Sequence, residues 1–224
     1  MGRIIQYFKF LKKVNVKEFL FLNYFCRNVI RTDSSKIIPY KNSAIELADK
    51  AKVYLANGDI EIGCDLIRGS KAETRLRMTG SSTWSSNGGC KISYGSTVEI
   101  HGRAIFDTGY FTLNCSSVIV SDKRINIGND VMISRNVVIY DSDFHSIQNQ
   151  QGQCRNSPRQ VTIGDHVWIG ADSMILKGSH IGSGSIIAAF TKVSGDVGPY
   201  MVYQAEGTTA ANELKGSWSR RKPE

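Results

Sequence analysis

The 224-residue chain contains no C-x-x-C pair and no apolar run near the roughly 20 residues that a membrane-crossing helix needs. Its longest greasy stretch, Phe19 to Cys26, is interrupted by Asn23, so a transmembrane segment is not expected. No small-residue cleavage site follows the basic, apolar start, which argues against a secretory leader. The five cysteines (Cys26, Cys64, Cys90, Cys115 and Cys154) are odd in number, which speaks against a disulfide framework and a zinc ribbon. Reduced thiols in a cytoplasmic protein are expected instead. The 4 histidines include no H-x4-H pair, so a three-histidine metal site is not expected either.

Charge is unevenly placed. Residues 1–52 hold 11 Lys/Arg against 4 Asp/Glu, residues 53–212 hold 13 against 14, and residues 213–224 hold 4 against 2. A neutral body with basic ends lacks the basic face and readable motif of a nucleic-acid binder. It suits attraction to anionic lipid or to phosphorylated small molecules.

What the chain does contain is a period of six. From Ile163 it reads IGDHVW, IGADSM, ILKGSH, IGSGSI, IAAFTK and VSGDVG. The first position is always Ile or Val. The fifth is Val167, Ser173, Ser179, Ser185, Thr191 and Val197, always small or β-branched. The same register appears in IGNDVM (127–132) and ISRNVV (133–138). A helix would space its apolar residues by three and four, and a single strand by two. Six suits short parallel strands joined by tight corners, three strands to a coil, with the aliphatic pointing into a narrow prism. Asn, Asp and Gly fill the positions between (Asn129, Asp130, Asn136, Asp165, Gly178, Gly184), where corner dihedrals are tolerated best.

Upstream, residues 51–63, 74–82, 90–102 and 104–114 alternate apolar and polar residues and break at Gly or Asn, predicting coils with irregular corners. Asn15 can cap a short helix over VKEFLFLNYFCRNV. Three parts are therefore expected: a basic, partly helical segment over 1–40, a β-helix over 41–198 and a tail over 199–224.

The hexads stop once, for the loop 141–160, which carries D-S-D-F-H and then lets the repeat resume. Long loops in compact folds tend to be functional. An imidazole beside carboxylates makes a competent general base, because a carboxylate fixes the tautomer and stabilises the imidazolium. His145 is the candidate base. Asp141 and Asp143 flank it, and the residues alone do not say which one orients it.

FTLNCSSV, INIGNDVMISRNVVIYDSDFH and VTIGDHVWIGADSMILKG together resemble the hexapeptide-repeat acyltransferases. The likeness is to the sugar O-acetyltransferases of the maltose, galactoside and bacterial capsule or O-antigen type. It is clear over about residues 104–198 and weaker back to roughly residue 37. It implies an all-β, left-handed parallel β-helix with an extruded catalytic loop and a short N-terminal helical segment. It further implies acetyl-CoA as donor and a sugar or polysaccharide-precursor acceptor, with His145 as catalytic base. Asn114 would contact the acceptor. Trp168, Gly170, Ala171, Ala188 and Ala189 would line the coenzyme, with Lys192 near the position of the family's coenzyme-contacting lysine. No metal is implied. A homotrimer with active sites between neighbouring solenoids is, in the cytoplasm and with contact to the inner membrane face as an added expectation.

The chain departs from the family pattern at Ala188–Thr191 and at Ala205–Thr208. The Arg220–Lys222 run reads as a solvated tail, or as a contact for the coenzyme's phosphates. N-acetylation of an amino-sugar nucleotide and a non-catalytic β-helix scaffold are the alternatives.

Overall fold

The computed structural model describes residues 10–206, 208–214 and 216–221. Three sheets, parallel up to Met201–Glu206, run along the described chain, and up to that strand consecutive strands belong to different sheets. The first sheet has 8 strands, from Val29–Arg31 to Asp196–Val197. The second has 9, from Ile37–Pro39 to Thr208–Glu213, and the third has 7, from Ser43–Leu47 to Lys192–Val193. Each strand pairs with those one coil before and after it, as in Ile169 with Ile133 below and Ile187 above. This is the left-handed parallel β-helix of the hexapeptide-repeat proteins. The ladder begins at Val29, inside the segment read from sequence as the N-terminal part.

The hexad positions do what their chemistry requires. All six first-position aliphatics from Ile163 to Val193 are buried, and so are all six fifth positions from Val167 to Val197. The fifth-position hydroxyls serve corners one coil on: Ser173 donates to the Ala188 carbonyl at 3.0 Å, Ser179 to Val193 at 3.1 Å and Ser185 to Gly198 at 2.8 Å. A larger side chain there would crowd the prism, and an alanine would leave the Ala188 and Gly198 carbonyls without these bonds, while Val193 would keep the Leu176 N–H. The fourth position turns the corner through the left-handed region: Asp130, Asn136, His166, Asp172 and Phe190 all have φ between 54° and 59°.

Upstream coils use wider side chains. Trp84, Phe106 and Phe111 are fully buried, with ring centroids 5.3 Å (Trp84–Phe106) and 6.2 Å (Phe106–Phe111) apart. The Trp84 indole N–H donates to Thr108 Oγ1 at 3.1 Å.

Both ends of the described ladder carry a cover. Asn15 accepts from the Glu18 N–H and starts the helix Val16–Leu20, which continues as a wider π-helical turn over Phe21–Phe25. Leu22 and Asn23 point from it into the first coil. Asn23 Nδ2 donates to the Ile37 carbonyl at 2.7 Å and its Oδ1 accepts from the Ile37 N–H at 3.0 Å, so one amide mimics a missing strand neighbour. At the other end Met201–Glu206 and Thr208–Glu213 form an antiparallel pair. Among the described residues no helix is long and apolar enough to cross a membrane, and all five cysteines are free.

Candidate active site

The loop 141–160 leaves the prism where the third sheet turns to the first, and its two ends meet there. The Arg159 N–H donates to the Asp141 carbonyl at 2.9 Å, which pinches the neck shut. Asp141 itself is fully buried. Its carboxylate accepts from Ser121 Oγ (2.7 Å) and from the backbone N–H groups of Asp122 (2.7 Å), Lys123 (2.9 Å) and Arg124 (2.7 Å). Those bonds occupy both oxygens on the preceding coil. Asp141 is a fastener of the loop's root and does not face the imidazole.

Asp143 is turned elsewhere too. Its Oδ2 accepts from Lys177 Nζ at 2.6 Å and from Asn156 Nδ2 at 2.8 Å. The Lys177 bond first, and the Asn156 bond second, hold its carboxyl below the usual carboxylate range. Asn156 Nδ2 also donates to the His145 carbonyl at 2.8 Å, and the His145 N–H donates to the Asp143 carbonyl at 2.7 Å. The backbone around His145 is therefore clamped from both sides, while its exposed ring has no hydrogen-bond or ion-pair partner among the described residues. Phe144, with φ 59°, packs edge-on against Tyr140 (5.2 Å) and against His101 (6.3 Å), anchoring the turn that presents the imidazole.

The other three histidines differ from His145. His101 has both ring nitrogens engaged, by Asp122 at 3.2 Å and Glu99 at 3.0 Å. His166 does as well, with Asp130 at 2.7 Å and the Trp218 carbonyl at 3.0 Å. His180 is exposed and its ring unengaged among the described residues, and it lies on the first sheet between Thr162 and Asp196, outside the loop itself.

The remaining sequence-read residues share a different edge, where the second sheet turns to the third. Asn114 is exposed there, and its Oδ1 accepts from the Cys115 N–H at 2.8 Å, leaving the amide NH2 directed at nothing among the described residues. Gly170 and Ala171 form the same corner two coils on, and Ala188 and Ala189 form it in the next coil. The contact is close: a Cβ on Gly170 would lie 2.5 Å from the Ala189 nitrogen. Trp168 stands on the second sheet just before that corner, over a third exposed, its indole N–H donating to Ser134 Oγ at 3.2 Å. Lys192 lies past the corner, on the third sheet beside Met174. Thus the structure brings Asn114, Gly170, Ala171, Ala188 and Ala189 to one edge, flanked by Trp168 and Lys192, and sets His145 on another.

Of the run Arg220–Lys222, Arg221 is exposed, but Arg220 and the preceding Trp218 are docked on the solenoid. Trp218 is 7% exposed, stacked on His166 with centroids 4.1 Å apart, its indole N–H donating to the His166 carbonyl at 2.9 Å. Arg220 pairs with Asp130, donates to Thr112 Oγ1 (3.0 Å) and to the Val131 carbonyl (2.9 Å), and lies over the Tyr110 ring. Each of its three guanidinium nitrogens thus donates once to the folded chain. Lys222 lies outside the described residues. Lys177, Asn156 and Trp218 were not visible as site residues, because Lys177 reads as an ordinary repeat position, the other two sit in no motif, and their partners are up to 52 residues away.

Residues 160–195 match the bacterial transferase hexapeptide model (six repeats). The chain is 35% identical over 113 residues to the galactoside O-acetyltransferase of Escherichia coli K12, covering 50% of this chain and 51% of that one. It is 30% identical over 90 residues to the polysialic acid O-acetyltransferase of Neisseria meningitidis, covering 40% and 39% respectively. The chain thus spans about half the length, or less, of the curated relatives it matches. A variant of AntD, an N-acyltransferase from Bacillus cereus solved with dTDP and coenzyme A, superposes with a TM-score of 0.56 at 12% identity over 93% of this chain and 91% of that one. That likeness is one of fold.

Proposed function

We propose, from the premise that this chain carries the hexapeptide repeat of bacterial transferases, that it moves an acetyl group from acetyl-CoA to a sugar hydroxyl. The acceptor is a bacterial surface polysaccharide or its precursor. The observation that carries the reading is the clamped loop backbone around His145, which presents an imidazole without a partner among the described residues.

In this mechanism an imidazole nitrogen of His145 takes the proton of the acceptor hydroxyl as its oxygen attacks the thioester carbonyl. Backbone N–H groups near the groove stabilise the oxyanion. Collapse breaks the carbon–sulfur bond, and the thiolate receives the proton from the imidazolium. No covalent enzyme intermediate is formed. Asn114 offers its free amide to the acceptor. The flat corner at Gly170, Ala171, Ala188 and Ala189, with Trp168 and Lys192 on either side, takes the coenzyme.

His145 and this groove belong to different edges of one prism. A productive site therefore needs the loop edge of one chain against the groove edge of another, and a homotrimer meets that demand with three identical contacts. Asp143 serves the reaction by positioning the loop through Lys177 and Asn156.

Calorimetric titration with acetyl-CoA, with the mass of the assembly measured alongside, is the first test. One coenzyme per chain on a trimer supports the reading, and absence of binding by folded protein overturns it. His145→Ala is expected to lower turnover by about 10²–10⁴-fold with the melting temperature unchanged. Near-normal turnover in that variant would remove His145 from the mechanism.

A further inference from the structure

The N-terminal cap presents far more apolar surface outward than it uses inward. Only Leu22 and Asn23 of the run Val16–Phe25 are buried. Val16 is 41% exposed, Leu20 46%, Phe21 51%, Tyr24 62% and Phe25 74%. The spacing 16, 20, 24 forms one row along the helical run, and 21, 25 forms a second beside it, so the five side chains make one continuous ridge. Single exposed apolar residues need no explanation, but a contiguous aromatic patch marks an interaction surface.

Cations outnumber acids in and before the ridge, with Arg27 and one acid, Asp49, lining a hollow beside Phe21 and Phe25, and Lys12 and Lys13 lying towards Tyr40 and Lys41. Lys12, Lys13, Lys17 and Arg27 are exposed, and the Lys36 ammonium stands 5.2 Å from the Tyr24 ring centroid. None of the five forms a salt bridge with a described residue. The acids in the same stretch are Glu18 and Asp33, and Asp33 is engaged by the backbone N–H groups of Ser35 and Asn57. Aromatic side chains flanked by unpaired Lys and Arg are the composition that settles in the headgroup and acyl boundary of a bilayer. A second protein surface would instead have to supply a matched set of acidic groups around an apolar groove.

We infer that the cap Val16–Phe25 is a docking surface for bilayers containing anionic phospholipid, with Phe21, Tyr24 and Phe25 entering the interface and Lys12, Lys13 and Lys17 drawn to its negative headgroups. The inference stands apart from acetyl transfer, since it involves no residue of the proposed site.

Co-sedimentation of the full chain with phosphatidylcholine vesicles, with and without a quarter of phosphatidylglycerol, tests it. The chain binds the anionic vesicles and releases from them at high salt, and binds the neutral ones weakly. Replacing Lys12, Lys13 and Lys17 together by Ser lowers partitioning on the order of 100-fold, as three basic residues near an anionic surface require. Phe21→Ser with Phe25→Ser lowers it at least tenfold, with an unchanged circular dichroism spectrum. Should that double variant fold poorly, Tyr24→Trp reads insertion directly, as a blue shift of its emission on adding anionic vesicles. No binding to anionic vesicles, or no shift from the tryptophan variant, overturns the inference. So does a double variant that still binds vesicles while its assembly mass falls, for the ridge is then a contact between copies of the chain.

Discussion

The coils before residue 124 and those after it enclose the same prism by different means. The earlier strands are mostly four or five residues long and the interior holds Trp84, Phe106, Phe111, Leu76 and Met78. The later strands shrink to three and then two residues, and every buried aliphatic from Ile125 to Val197 is Ile or Val. Wide side chains of differing shape demand corners of differing shape, which destroys a fixed period. One branched aliphatic and one small residue per six give every coil the same cross-section. Uniform coils in turn let a twenty-residue loop be expelled and the stack resume in register, with Ile125–Ile127 still paired to Val161–Ile163 across the gap.

The sharpest way to break this contrast is to remove one wide and one narrow core residue. Trp84→Ala is expected to cost about 4 kcal/mol in chemical denaturation, from its cavity and from the orphaned Thr108 hydroxyl. Ile175→Ala in a uniform coil is expected to cost about 3 kcal/mol. An equal or reversed order would show that the regular coils pack no more adaptably than the aromatic ones.

A smaller effect concerns the expelled loop. Because Asp143 is held below its ordinary value near 3.8, its bond to Lys177 contributes fully above that pH and is lost as pH falls through the lowered value. Lys177→Met is expected to reduce amide protection over residues 143–156 severalfold at pH 7. The gap to the parent protein should narrow below about pH 4, as the parent's carboxyl protonates. Protection that is indifferent to both changes would mean the loop is held by Asn156 and Phe144 alone. The smallest effect tests corner chemistry. Phe190 sits in the left-handed region with its ring 79% exposed, so Phe190→Gly should stabilise the chain by up to about 1 kcal/mol, read as a higher denaturation midpoint. A loss of stability would show that the ring makes contacts outweighing its backbone strain.

The regular coils were legible because their constraint is local: a buried Ile or Val and a buried small or β-branched residue, repeated every six positions, leave a mark that neither a helix nor a single strand leaves. The irregular coils were legible only as alternating strands, since Trp84 and Phe106 meet across 22 positions of sequence. In the candidate site, His145 announced itself by interrupting the period. The work of its neighbours did not. Asp141 and Asp143 are both acidic and both near the histidine, yet their partners are backbone groups at 122–124 and a lysine at 177, which no local pattern connects to them. The docking of Trp218 on His166 was hidden for the same reason.

The neck at Asp141 and Arg159 has a consequence for how such a chain can change over time. Everything between those residues enters and leaves the prism at one point, so beyond the closed neck the coils meet the loop mainly through Lys177 and the Phe144 contacts with Tyr140 and His101. Doubling the length of a flexible loop adds about 0.6 kcal/mol to the entropy of closing it. Insertions, deletions and wholesale exchange of the segment are therefore nearly invisible to the stability of the solenoid. The loop behaves as a cassette on a fixed mount, free to vary in what it presents while the mount keeps its place.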